Sequence, residues 1–242
     1  MVTLEEDKSG YINNMFARIA KSYDFLNLMM TLNMHKLWKK QAIDAASVNI
    51  PYVKKAKILD LCTGTGDMAF EWSKKLQVSK VMAIDSCIPM LERAERRQIK
   101  SKKSNSDKIT FMEADALALP FPDNHFDAVT VGFGLRNVND LDLALAEIYR
   151  VLKPEGYIAS LDLGHPESGM VESFHKGVFL KLMPLLGQIF AGDKAAYKYL
   201  IDSLETWPKQ KDLSQMFWDK GFTRSYYKNI FLGTIAIVVA QK

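Results

Sequence analysis

KILDLCTGTGDMAF, residues 57–70, passes from an apolar run through a glycine turn into a helix-forming run. Ile58-Leu59-Asp60-Leu61 reads as a buried strand. Thr63-Gly64-Thr65-Gly66-Asp67 is the turn, and Met68 to Trp72 opens a helix. Glycine lets the backbone approach a ligand, and the first N–H groups of the new helix face it. A second apolar run, Val81-Met82-Ala83-Ile84, ends in Asp85, about 19 residues beyond Gly66. An acidic side chain at the tip of a second strand can accept hydrogen bonds from both hydroxyls of a ribose.

Two ligands fit this pattern. Gly64-x-Gly66-x-x-Ala69 followed by Asp85 matches the dinucleotide fingerprint. It matches equally the adenosine half of S-adenosylmethionine held on a methyltransferase sheet. A tight strand-to-helix turn without any ligand is the plainer alternative. These residues alone do not choose among the three.

Composition narrows the class. With 242 residues and 48% hydrophobic content, the chain can bury a substantial core as one large domain or two small ones. A net charge of +4 is too small to argue for nucleic acid, though it is compatible with an anionic membrane surface. Cys62 and Cys87 have no metal-like spacing and read as free thiols of a reducing compartment. The start, MVTLEEDKSG, is polar and acidic, and no apolar run reaches the roughly 18 to 20 residues of a membrane span. The expectation is a cytoplasmic protein, soluble or peripheral to a membrane.

Working outward from the glycine turn, Tyr11–Ala46 carries apolar residues at helical spacing and predicts two or three short helices. Its methionines Met29, Met30 and Met34, with Leu26, Leu28 and Leu32, suit either core packing or a lid for a greasy substrate. Further strands are predicted at Lys80–Ile84, Ile109–Glu113, Phe126–Gly132 and Tyr157–Asp162. Helices are predicted at Pro89–Ile99, with Arg93, Arg96 and Arg97 on a largely solvated face, and at Asp140–Leu152, stopped by Lys153-Pro154-Glu155-Gly156. Phe174–Gly192 is a second methionine- and leucine-rich helical segment, and Leu213–Phe217 belongs to another helix. Ser225–Phe231 and Thr234–Ala240 read as a terminal hairpin. Five strands alternating with helices, then a hairpin, predict an α/β fold with a seven-stranded, mostly parallel Rossmann-like sheet, its last strand antiparallel. A dinucleotide dehydrogenase would continue as a second βαβαβ half, which the terminal hairpin argues against. The whole chain, 1–242, reads as one methyltransferase domain: a helical lid (1–50), a cofactor-binding core (57–163), a helical substrate cap (164–212), and a C-terminal helix and hairpin (213–242).

The chain resembles the class I S-adenosylmethionine methyltransferases and, within them, the quinone C-methyltransferases of menaquinone and ubiquinone biosynthesis. The resemblance runs almost end to end. It rests on FARIAKSYDFLN with HKLWK downstream, LDLCTGTGD, the strand-end Asp85, ADALALPF, FGLRNV, RVLKPEGY and YKYLIDSLETWP. The pairing of YDFLN…HKLWK with FGLRNV is specific, since a generic methyltransferase needs neither. The chain departs from the family at Gly132, where a serine is frequent, at Tyr199-Leu200-Ile201-Asp202-Ser203, which lacks the proline of YLPxS, and at Thr31-Leu32-Asn33-Met34-His35 in place of SxGxH.

The resemblance implies S-adenosylmethionine as cofactor, contacted by Thr65, Asp85, Asp115 and Ala116. Asp60, Gly64 and Gly66 shape the turn at its methionine end. It implies a prenylated quinol as acceptor, demethylmenaquinol rather than the ubiquinone precursor, because the ending is closer to menaquinone-type members. Arg136 and Asn137, with Tyr23 completing the set, would then act on the phenolic hydroxyl next to the reacting carbon. An arginine stays charged, so Arg136 would lower that hydroxyl's pKa or orient a water. The plainer reading of Arg136 is an ion pair with Asp140 or another acid. His35 reads as a base or, more simply, as structural beside Trp38. His125, His165 and His175 receive no role, and no metal cluster is visible. A non-catalytic methyltransferase-fold subunit, and a methyltransferase for a sterol or tocopherol precursor, are the other functions weighed. Monomer and homodimer both stay open.

Overall fold

A computed structural model of the chain describes residues 4–48, 50–51, 55–101, 105–169, 199 and 202–242, the side chains of 4–9 excepted. Three helices come first: α1 (Leu4–Ile19), α2 (Tyr23–Thr31) and α3 (Met34–Ala46). The α/β unit follows as β1 (Ala56–Leu61), α4 (Asp67–Ser73), β2 (Val78–Asp85), α5 (Ile88–Lys100), β3 (Ile109–Glu113), β4 (Phe126–Gly132), α6 (Leu141–Val151) and β5 (Leu152–Leu163). After a helical stretch at 202–206 come α7 (Gln210–Asp219), β6 (Arg224–Ile230) and β7 (Ile235–Gln241).

The seven strands form one sheet in the order β3-β2-β1-β4-β5-β7-β6. Neighbours among the first five are parallel, and β7 runs antiparallel between β5 and β6. This is the expected sheet. The strand order runs outward one way from β1 to β2 and β3 and the other way from β4 to β5, so it reverses between β1 and β4. That switch point places a crevice at the strand carboxyl ends, where open α/β sheets bind ligands.

Both faces of the sheet are covered, so its central strands are buried nearly throughout rather than at alternate residues. All residues of β7, and all but the last of β4, are buried. Leu145 and Ile148 of α6 and Phe217 of α7 pack on one face with Val129 and Val131. Trp38, Ala42 and Ile43 of α3 and Trp72 of α4 pack on the other with Ile58. Of the predicted lid, then, α3 belongs to the core, while α1 and α2 form a smaller apolar cluster of their own through Met15, Ile19 and Leu26.

Two predicted boundaries shift. β2 begins at Val78, which pairs with Ala56 before a register irregularity. β5 begins at Leu152, so Lys153-Pro154-Glu155-Gly156 lies inside a strand instead of ending a helix in a loop. Leu152 pairs with Phe126, and the register shifts before the ladder resumes at Ala128 and Tyr157. Such a bulge is where a strand tolerates proline and a left-handed residue, here Glu155 at φ 65°. Lys153 donates to both oxygens of buried Asp127, at 3.0 and 2.9 Å, which fixes the bulge. The predicted cap helix, Phe174–Gly192, lies outside the described residues.

Candidate active site

The turn after β1 is built by positive backbone angles. Gly64 has φ 56° and Gly66 φ 85°. A Cβ on Gly66 would also meet the Phe70 and Phe111 rings at 3.0 and 3.1 Å. Gly64 is different: a Cβ there would meet nothing within 4 Å, so its backbone faces open space. The Thr63 N–H donates to the Ile84 carbonyl at 2.9 Å, tying the turn to β2.

Asp85 closes the link. Its Oδ2 accepts the Gly64 N–H at 2.7 Å and its Oδ1 the Cys87 N–H at 2.9 Å. Burial pushes its pKa up against these two donors. Beneath the turn, buried Asp60 accepts from Thr63 Oγ1 at 2.6 Å and Thr130 Oγ1 at 2.8 Å. Trp72 Nε1 in turn donates to Thr130 Oγ1 at 3.1 Å. Burial outweighs the hydroxyl donors and raises the Asp60 pKa to about 6.

A cavity opens above these strand ends. Leu61, Cys62 and Gly64 form one wall, and Asp85, Ser86 and Met90 the next. Ala114, Asp115, Ala116 and Leu117 follow β3, while Gly132, Phe133, Gly134 and Asn137 follow β4. Ile12, Asn13 and Phe16 of α1 and Tyr23 of α2 cover it. Ser86 Oγ donates to Asn13 Oδ1 at 3.1 Å, holding α1 to the end of β2.

At the far end of the cavity Phe133 has φ 60°, and its carbonyl accepts from Arg136 Nη1 at 3.2 Å and Asn137 Nδ2 at 3.3 Å. Arg136 pairs with Asp162 at the end of β5, and both side chains are over nine-tenths buried. Burial pushes the Asp162 carboxyl up, against the pull of Arg136. Among the described residues Arg136 Nε and Asp162 Oδ2 have no hydrogen-bond partner. Asn137 Oδ1 accepts from Tyr199 Oη at 3.2 Å, and burial raises the Tyr199 pKa. Asp162 answers the ion-pair reading of Arg136, and Asp140 instead caps α6 by accepting the Leu143 N–H at 2.9 Å.

Of the residues expected from the sequence, Gly64, Asp85, Asp115, Ala116, Tyr23 and Asn137 line the cavity together. Asp60, Thr65, Gly66 and Arg136 stand behind that lining. Thr65 Oγ1 donates to Asp24 Oδ1 at 2.6 Å and accepts from Arg97 Nη1 at 2.9 Å. Arg93 and Arg97 are not a solvated face. Arg93 Nε reaches Asp24 Oδ2 at 2.9 Å and Arg97 Nη2 reaches Asp67 Oδ1 at 2.7 Å, while Arg96 does face outward. His35 is structural in its contacts. Its Nδ1 lies 2.6 Å from Thr31 Oγ1, and burial and Lys39 lower its pKa to about 4, so it is neutral at pH 7. The sequence reading missed Asp162, Tyr199, Asp24 and the α1 residues. Asp162 carried a signal as the last residue of a predicted strand, and Asp24 and Tyr199 lie within the quoted YDFLN and Tyr199–Ser203 stretches, where no role was assigned to them.

These features suit a sulfonium nucleoside. A carboxylate beside an unobstructed glycine backbone can meet a ribose, and Asp115 with buried Ala116 can flank an adenine. A model for the ubiE/COQ5 methyltransferase family matches residues 1–242. The chain belongs to that family. It is 38% identical over 240 residues to the ubiquinone/menaquinone biosynthesis C-methyltransferase UbiE of Rickettsia prowazekii, covering 97% of this chain and 94% of the relative. In fold it is similar to an S-adenosylmethionine-dependent methyltransferase of Thermotoga maritima, with a TM-score of 0.63, 18% identity and coverage of 95% and 99%. It is also similar to phosphoethanolamine N-methyltransferase 2 of Haemonchus contortus, solved with S-adenosylmethionine, with a TM-score of 0.61, 18% identity and coverage of 84% and 52%. This member of the family is therefore an S-adenosylmethionine-dependent C-methyltransferase of the quinone-biosynthesis type.

Proposed function

We propose that the protein methylates a ring carbon of a prenylated quinol, with demethylmenaquinol as the acceptor. The observation that carries the proposal is the buried Arg136–Asp162 pair just behind the cavity wall, tied to the lining residues Phe133 and Asn137, the latter also bonded to Tyr199. Relatives that carry the double ubiquinone/menaquinone name support the quinol class. The closer likeness of the chain's ending to menaquinone-type members supports the naphthoquinol.

S-adenosylmethionine supplies an electrophilic methyl on a sulfonium, open to in-line displacement. Asp85, Gly64, Asp115 and Ala116 bind and orient its nucleoside, and Asp60, Thr65 and Gly66 hold the turn in shape. The α1 residues over the cavity keep water out. A quinol carbon becomes nucleophilic as the neighbouring hydroxyl gives its proton to water, and the carbon's own hydrogen leaves as a second proton when the methylated ring regains aromaticity. The Arg136 guanidinium stabilises the developing oxyanion, and Asp162 holds it in place. Asn137, Tyr199 and Tyr23 complete the hydrogen-bonding set around that oxygen.

The α2–α3 turn exposes Phe25, Leu28, Met29, Leu32, Met34 and Leu37, with Leu32 81% exposed. We place this surface against the bilayer that carries the prenyl tail, in a cytoplasmic protein peripheral to the membrane. Among the described residues no helix is long and apolar enough to cross a membrane. Co-sedimentation with anionic liposomes should fall when Phe25, Leu28 and Leu32 are made polar, and unchanged sedimentation would remove the membrane reading.

The deciding assay supplies labelled S-adenosylmethionine with reduced short-tailed demethylmenaquinone and, in parallel, its benzoquinol counterpart. Label is expected in the naphthoquinol and absent with Arg136→Ala. Label only in the benzoquinol would replace the acceptor and keep the reaction.

A further inference from the structure

Asp24 is the second residue of α2, next to the cavity-lining Tyr23, and its carboxylate reaches away from its own helix. Oδ1 accepts from Thr65 in the glycine turn at 2.6 Å, and Oδ2 from Arg93 of α5 at 2.9 Å. Arg97 Nη1 lies 3.6 Å from Oδ1 and donates to the Thr65 carbonyl at 2.6 Å. The other end of the same guanidinium holds Asp67, whose second oxygen takes Lys39 of α3 at 2.8 Å. One carboxylate on α2 thus joins the covering helices to the turn and to α5, and Arg97 carries the link on to Asp67 and Lys39.

We propose that Asp24 is a positioning residue that latches α1 and α2 over bound S-adenosylmethionine, with Arg93 and Arg97 as its counterparts. The proposal rests on the cavity holding that cofactor. α1 covers the cavity with Ile12, Asn13 and Phe16, so the cofactor leaves only when these helices lift. Among the described residues, what else holds them at this rim is light: the hydrogen bonds of Ser86 and Cys87 to Asn13 and the apolar contact of Phe16, Ala17, Ala20 and Tyr23 with Cys87 and Met90. Charge-assisted hydrogen bonds are the strong ones, and Asp24 makes or approaches three. Its side chain is 31% exposed, beside Arg93 at 34%. At that exposure the pair adds little to overall stability, and its effect falls on the opening of the cover.

The test is the dissociation rate of labelled S-adenosylmethionine from the full chain, measured by rapid dilution into excess unlabelled cofactor. Asp24→Asn and Arg93→Gln should each release it about tenfold faster, the effect of one such bond lost from the closed state. The double variant should release it no faster than either single one, because both changes open the same latch. Tm should stay close to that of the unaltered protein in all three. Dissociation within twofold of the unaltered protein in both single variants would overturn the latch, as would effects that multiply in the double variant. Should Asp24→Asn fail to fold, Arg93→Gln decides alone. An unaltered protein that does not bind S-adenosylmethionine would overturn the latch and the proposed function together, whereas normal binding with unaltered release overturns the latch only.

Discussion

At the Asp85 end of the cavity each carboxylate oxygen accepts a backbone N–H, and Asp60 below it takes two hydroxyls. At the Arg136 end an arginine–aspartate pair has side chains over nine-tenths buried, yet Arg136 Nε and Asp162 Oδ2 have no partner among the described residues. The first end is satisfied by the fold itself and holds one shape. The second retains hydrogen-bonding capacity in a dry setting, where an unpaired polar atom is costly and an arriving oxygen is strongly bound. Binding a cofactor needs the first arrangement, and stabilising a charge that forms during reaction needs the second.

The sharpest way to break this contrast is at Arg136. Arg136→Met leaves Asp162 buried and unpaired and should cost about 3–5 kcal/mol by denaturant titration. Adding Asp162→Leu should recover most of that stability while methyl transfer stays absent. Recovery of transfer with stability would mean that the pair only supports the fold.

A pH titration contrasts two acids of the same turn. The folded pKa of Asp60, about 6, lies above its unfolded value of 3.8, so the folded state holds the extra proton between the two. Asp60 is thus least destabilising below about pH 4, and stability falls by up to about 3 kcal/mol as pH rises to about 6. Asp67 acts in the opposite sense. Burial would raise it, but Lys39 and Arg97 hold its carboxyl well below the usual range. Its contribution is present above about pH 4 and is lost as pH falls through the folded value. Asp60→Asn should remove the loss between pH 4 and 6 and leave the acid limb, as followed by Tm against pH.

Asp85→Ala strands the Gly64 and Cys87 N–H groups and should cost about 1–3 kcal/mol, together with cofactor affinity measured by titration calorimetry. Affinity retained at lower stability would make Asp85 a brace rather than a ribose ligand. The smallest change is Thr130→Val, which removes one donor from Asp60. It should cost about 1.5 kcal/mol and move the Asp60 titration upward, as read by carboxyl NMR.

Much of the sheet is legible because each parallel strand is a short apolar run closed by glycine or an acid. The start of β5 is not, because Lys-Pro-Glu-Gly has the composition of a helix stop and the bulge that accommodates it depends on Asp127, 26 residues from Lys153. The same blindness hides side-chain partners. Arg93 and Arg97 repeat at helical spacing like a solvated face, but Asp24 and Asp67 lie 69 and 30 residues away in sequence. Arg136 has a nearby acid in Asp140, yet it pairs with Asp162 because the ends of parallel neighbours β4 and β5 meet in space. Asp85 and Gly64 are legible as strand-end neighbours because the motif fixes their spacing, while the hydrogen bond between them is seen only in the structure.

The place of β7 has a consequence for how the molecule comes into being. Among the described residues β6 joins the sheet only through β7, which pairs with β5 on one side and β6 on the other along its length. During synthesis the ribosome has to deliver β6 before β7, so β5 waits with a bare, apolar edge while some seventy residues are added. An exposed edge of that kind invites pairing with another nascent chain. Early stages of folding therefore depend on protection of β5, and the closing of the sheet is a late, long-range event.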